Sequence, residues 1–262
     1  MSKRINADIQ RFLDDDYADP SERDHVHSGG SANLQFYSNT RRCRPDNLLI
    51  DDIHQQWKGN HSELEWNHSY IQWLFPIQES GGMNPAAQSL QLHEREAMKS
   101  NQTIIGRVLE SYRIMLDFYG MELDSTLDEE EAQIPIGLLK RTSDEEVNAE
   151  RYKHLNRSFH NYLRITRILK HLSEMGLEHL NAGFLLHVLN EQSQFGQLRS
   201  SRLVGSMDDF WANCIRNDEE REWVGKLIRK VRDDEFSFTR DLYEDAMKRR
   251  KDTGSFREAS SS

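Results

Sequence analysis

Glu65-Trp66-Asn67-His68 carries the acid–histidine spacing that di-iron helical bundles use, but those centres need a second copy and two further glutamates, and this sequence offers one. Asn67 also reads as a helix cap between the two residues, which removes their shared face. His25 and His27 lie in a polar stretch, and no H-E-x-x-H occurs. No metal and no cofactor are therefore expected. Glycine-rich phosphate loops and the G-x-S-x-G elbow are missing as well, which removes the commonest nucleotide-binding and serine-hydrolase signals. Of the two cysteines, Cys214 falls on an apolar helix stripe as a small buried hydrophobe. Cys43 sits among Arg41, Arg42 and Arg44. Positive neighbours can lower a thiol pKa, but without a fixed histidine beside it Cys43 reads as an incidental loop thiol. Nothing in this inventory predicts an enzyme.

Two clusters suit binding rather than catalysis. Trp66, Tyr70, Trp73, Leu74 and Phe75 could form a ligand cage, or the core of a small helix packed on its neighbours. At one hundred degrees per residue, Arg157, His160, Arg164, Arg167 and His171 fall on one ridge, opposite Tyr162, Ile165, Leu169 and Leu172. That ridge is either a solvated charged face or a docking surface for an acidic partner, including an acidic stretch of this chain. Lys248-Arg249-Arg250-Lys251 has the composition of a nuclear import signal.

The elements that must position these residues read as helices. Ile105, Val108, Leu109, Tyr112, Met115, Leu116 and Tyr119 recur at three- and four-residue spacing, with Gly120 at the C-terminal cap position. Further helices are predicted over Ile50–Trp57, around Tyr70–Leu74 up to Pro76, and from about Glu150 to Met175. Others follow Asn181 as a cap, along Leu203 to Cys214, and after Asp218 as a cap. No run alternates like a strand and no repeat period stands out, so an all-α, single multi-helix domain is expected. Residues 1–32 and 241–262 read as disordered or polar tails around a domain at 33–240. An acidic internal loop spans 124–148, within which Ile134 to Leu139 reads as a segment touching the core.

The 262 residues carry a net charge of −10 and a mean hydropathy of −0.82. This argues against a fold-wide basic field for nucleic acid. Two cysteines make no disulfide scaffold and suit a reducing setting. No apolar stretch reaches bilayer length and the N-terminus lacks a secretory signal, so any membrane association is expected to be peripheral or through a partner.

Three blocks carry a family resemblance. Asn33-Leu34-Gln35-Phe36-Tyr37, the run Asn67-His68-Ser69-Tyr70-Ile71-Gln72-Trp73-Leu74-Phe75-Pro76, and Leu163 to Lys170 followed by Gly176-Leu177-Glu178-His179 resemble the opioid growth factor receptor conserved region. Together they span about Asn33 to Val231. The resemblance implies a non-enzymatic receptor for an enkephalin-type peptide that restrains cell growth. It further implies a place in the nucleus and perinuclear cytoplasm, use of the import machinery, and association with membranes without insertion. The acidic stretch is longer than the receptor's counterpart and the chain ends soon after the conserved region, which looks more like the receptor-like branch. A peptide with an amine and two aromatic rings asks for a carboxylate beside apolar pockets, and Glu63, Glu65, Tyr70 and Trp73 are the nearest cluster offering both. The alternative is a helical interaction module that docks an acidic protein or nucleic acid through the basic ridge, without receptor activity.

Overall fold

A computed structural model describes residues 5–17, 30–79, 84–129 and 133–257. His25 and His27 lie outside the described residues. Among the described residues thirteen α-helices follow in order: α1 Ala7–Leu13, α2 Ala32–Tyr37, α3 Ile50–Trp57, α4 His61–Trp66, α5 Ile71–Leu74, α6 Leu92–Lys99, α7 Gln102–Phe118, α8 Glu145–Arg157, α9 His160–Glu174, α10 Glu178–Ser193, α11 Ser201–Asp209, α12 Asp218–Arg232 and α13 Arg240–Thr253. The all-α expectation holds, with one addition. Strands β1 Met121–Leu123 and β2 Leu139–Arg141 pair antiparallel, Met121 opposite Arg141 and Leu123 opposite Leu139.

Two helices make the centre. In α7 the predicted stripe is buried, from Ile104 to Phe118. Asn101 starts the helix by accepting from the amides of Thr103 at 3.0 Å and Ile104 at 3.2 Å, and Gly120 ends it at φ 83°. Helix α10 is buried on every side from Leu180 to Gln192, taking the polar side chains of Asn181, His187, Asn190, Glu191 and Gln192 into the interior with its apolar ones. Helices α9, α12 and α13 pack on α10, while α3 and α6 pack on α7.

The structure corrects several boundaries. The predicted helix from Glu150 to Met175 is broken: Ser158 leaves helical geometry, and its hydroxyl bonds the His154 ring at 3.0 Å. Such side-chain competition favours a turn over continued helix. Asn181 is no cap but lies inside α10, where its amide donates to the carbonyls of Leu169 at 2.8 Å and Cys214 at 3.0 Å. Asn217 rather than Asp218 caps α12, accepting from the Glu220 amide at 3.0 Å.

The tails also differ from expectation in their described parts. Within 1–32, α1 buries Ile9 and Phe12 completely. Within 241–262, α13 buries Tyr243, Ala246 and Met247, and Phe256 beyond it stacks on Trp223 with ring centroids 4.8 Å apart. Short apolar sets separated by long polar stretches give weak periodicity, which is why composition alone suggested tails. The acidic loop likewise contributes β2, a 3₁₀ turn at Ser125–Leu127 and the first turn of α8, with Leu138 and Leu139 buried.

Candidate functional site

The aromatic block and the basic ridge prove to be two sides of one internal seam. Arg164 is buried, and its guanidinium donates to the carbonyls of Leu64 at 2.8 Å and Asn67 at 3.0 Å and meets the His68 Nδ1 at 3.0 Å. Arg167 donates to the Phe75 carbonyl at 3.1 Å. The buried His171 places Nδ1 2.6 Å from the Pro76 carbonyl. The donors therefore satisfy carbonyls that α4 and α5 leave open at their C-terminal ends. Of the five ridge residues only Arg157 is well exposed; His160 is half-buried. The ridge is thus neither a solvated face nor a free anionic docking surface.

This gives a direct expectation. Arg164→Ala should lower unfolding stability by about 3 kcal/mol, because it removes the guanidinium's bonds to the Leu64 and Asn67 carbonyls and the His68 ring at once and leaves the Leu64 carbonyl only the Tyr70 hydroxyl. Arg164→Lys should fail to restore it, since an ammonium cannot reproduce the planar fork. Denaturant titration checks both, and a wild-type midpoint for either variant would contradict the seam.

The aromatic residues on the other side are core. Tyr70 is fully buried and donates its hydroxyl to the Leu64 carbonyl at 2.9 Å; Trp73 is buried and donates Nε1 to the Arg44 carbonyl at 3.0 Å. Neither ring is available to a ligand, which corrects two of the four residues expected to hold a peptide. Burial of aromatic area outweighs any exposure for binding at these positions. Glu63 accepts from the Asn67 amide at 3.0 Å. Glu65 sits between two imidazoles, His154 Nε2 and His160 Nε2 each 3.1 Å from Oε1. Burial works to raise its pKa, yet the two histidines hold it below the ordinary carboxylate value. Among the described residues no cluster of three or more His, Cys, Asp or Glu could hold a metal ion.

What the seam leaves open is a cleft of about 930 Å³ beside the same block. Its lining includes Trp66, 79% exposed, with His68, Pro45, Pro85, Asp46, Asn67 and Asn84. The polar lining is fixed. Asp46 accepts from Asn67 Nδ2 at 2.8 Å and from the Ser69 hydroxyl at 2.6 Å, and Asn84 donates to the carbonyls of Arg44 at 2.6 Å and Ser69 at 2.9 Å. Each Asp46 oxygen keeps a lone pair for a further donor. A cleft with an apolar wall and few placed polar groups suits a small ligand carrying an amine and a ring. Sequence reasoning missed Asp46 and Asn84. Their only local signals are the Pro45-Asp46-Asn47 and Asn84-Pro85 turn pairs, which mark loops without saying that the loops meet.

The remaining candidates are partly consumed by the fold. In Lys248-Arg249-Arg250-Lys251, which lies on α13, Arg250 pairs with Glu220 at 2.9 Å and Lys251 with Glu129 at 3.4 Å. Both cysteines are free and buried. Burial raises the Cys43 thiol, against the lowering its arginine neighbours could have produced, and pushes Cys214 up to about 12.

The opioid growth factor receptor conserved region matches residues 26–243. The chain belongs to the opioid growth factor receptor family. It is 36% identical over 214 residues to opioid growth factor receptor-like protein 1 of Mus musculus, covering 80% of this chain and 41% of that protein. It is 40% identical over 221 residues to the opioid growth factor receptor of Mus musculus, covering 83% and 32%. With the Homo sapiens receptor the figures are 42% over 188 residues, 72% and 26%. The matched region thus spans about two-fifths or less of these relatives' length. No solved structure matches this opioid growth factor receptor family chain. Among the described residues no helix is long and apolar enough to cross a membrane.

Proposed function

We propose that this opioid growth factor receptor family member is a non-enzymatic, growth-regulating receptor domain that takes an enkephalin-type peptide in the cleft between Trp66 and Asp46. The supporting observation is an indole 79% exposed at the edge of the family's most distinctive block, lining the same cleft as a carboxylate held by two neutral donors. A peptide amine would meet Asp46, and a ring would stack on Trp66. Tyr70 and Trp73 would brace the cleft from behind. Glu65, already held by His154 and His160, stands outside the first contact. The resemblance adds a nuclear and perinuclear setting with peripheral membrane association and entry by the import machinery. The docking of an acidic partner on the ridge loses support, because Arg164, Arg167 and His171 are engaged internally.

Calorimetry of the chain with free Met-enkephalin tests the reading. Trp66→Ala and Asp46→Asn should each weaken binding about tenfold, equivalent to about 1.4 kcal/mol, without disturbing a core that Trp66 does not enter. Undiminished affinity in both variants would remove this cleft. An unresponsive wild-type chain would remove peptide reception altogether.

A further inference from the structure

On the face formed by α6, α9 and the segment before α12, a charged groove holds α1. The helix presents Ile9 and Phe12 inward, both fully buried, and two acids at its ends. Asp8 Oδ2 lies 3.5 Å from Lys170 Nζ. Asp15 Oδ1 lies 3.0 Å from Arg95 Nη1 and 3.2 Å from Arg216 Nη2. Arg216 also donates to the Phe12 carbonyl at 3.2 Å, and its guanidinium sits 4.3 Å from the Phe12 ring centroid. This is how a receptor groove reads an amphipathic helix: apolar anchors inward, cations on the flanking acids.

Two features separate this contact from ordinary core packing. First, the groove is internally paired without α1. Glu174, whose side chain is wholly buried, holds Arg95 at 3.1 Å and Arg216 at 2.9 Å, and Lys170 is bonded to Glu79. Arg95 also meets Glu96 at 3.1 Å, so removing α1 orphans none of these cations. Second, every groove residue named lies within the family match at 26–243, whereas α1 lies outside it.

We propose that this groove is a docking site for acidic amphipathic helices, with α1 as its tethered resident, so that a partner helix enters by displacing α1. The partner's chemistry follows from the resident: a branched aliphatic and an aromatic residue three positions apart, with an acid just before the first and another three residues after the second. Covalent attachment gives α1 an effective concentration of about millimolar for a short connection. A free helix of equal intrinsic affinity is therefore held off, while one that adds contacts or is presented at high local concentration exchanges in. This site is separate from the Trp66 cleft, so each can fail without the other.

The test uses a labelled synthetic peptide of residues 5–17 and fluorescence anisotropy. Against the full chain it should bind weakly, because α1 competes. Against the full chain carrying Ile9→Ser and Phe12→Ser, which empties the groove without altering it, binding should tighten by about tenfold or more. A peptide carrying Asp8→Asn and Asp15→Asn should bind more weakly and lose its salt dependence. Equal affinity for both chains, or no binding to a cooperatively folded double variant, overturns the proposal. Should the double variant not fold, a protease site placed within residues 18–29 of the otherwise wild-type chain serves instead. After cleavage the labelled peptide should replace the α1 fragment, and retention of that fragment without exchange overturns the proposal. A concentration-dependent dimer that takes up no peptide also overturns it, in favour of α1 exchange between copies.

Discussion

Gly183→Ala is expected to cost about 4 kcal/mol or more of unfolding stability, or to prevent folding, although it adds a single methyl group within a helix. A β-carbon at this position would lie 1.9 Å from the Gly137 carbonyl oxygen and 2.8 Å from its carbon. Both atoms are backbone, so no rotamer change relieves the clash. Gly137 itself sits at φ 91°, and a β-carbon there would meet Leu180 at 3.1 Å, so the loop cannot turn away by exchanging conformations. The Tyr243 hydroxyl fixes the crossing from a third side, donating to the Gly183 carbonyl at 2.9 Å and accepting from the Leu139 amide at 2.8 Å. Gly106→Ala is the comparison. That glycine lies within α7 with nothing within 4 Å of the added carbon, and the change should stabilise by about 0.5–1 kcal/mol through backbone entropy. Denaturant midpoints for the two variants should move in opposite directions. Similar midpoints would contradict the close approach.

The second large effect is with pH. Burial depresses the pKa of His171 to about 4 and that of His187 to about 3. Burial likewise takes His54 and His179 to about 4. Each stays neutral in the fold while the unfolded chain takes up a proton near pH 6.5, the ordinary histidine value. The folded pKa is the lower one, so stability is whole above pH 6.5. It then falls as pH drops toward 4, where the native histidines begin to protonate. His171 and His187 alone should remove about 2.4 kcal/mol between pH 6 and pH 5. Depressed carboxylates such as Asp15 and Asp51 act on the same side but in a more acid range, so the two contributions separate. Urea midpoints from pH 7.5 to 5 at fixed ionic strength check this. His187→Gln, which can keep a partner for the Tyr152 hydroxyl at 2.9 Å, should flatten the slope by one proton. Stability unchanged between pH 6.5 and 5 would refute the buried neutral histidines.

Periodicity carried the helical reading well where one helix buries one face, as in α7, because burial and spacing are then the same information. It failed where a side chain chooses backbone as its partner. The helix break at Ser158 and the place of Asn181 inside α10 follow from bonds to main-chain groups or local rings, which leave no spacing signal. The ridge shows this most clearly. Arg164, Arg167 and His171 have the spacing of a charged surface, and sequence cannot say that the opposing surface is a row of carbonyls. The aromatic block was recognised correctly as distinctive, yet Tyr70 and Trp73 serve the seam, and the exposed part of the block is Trp66 and His68. Asp46 and Asn84 join them only through tertiary closure of two loops.

The Tyr243 contact also bears on how the chain is made. A ribosome releases residues from the N-terminus at about 5–20 per second, and 60 residues separate Tyr243 from the Gly183 carbonyl it must reach. Roughly 3–12 s of elongation therefore pass in which α10 has emerged without the helix that covers it. During that interval the apolar run from Ala182 to Leu189, which the finished fold buries, is exposed to association and is the natural target of a holding chaperone.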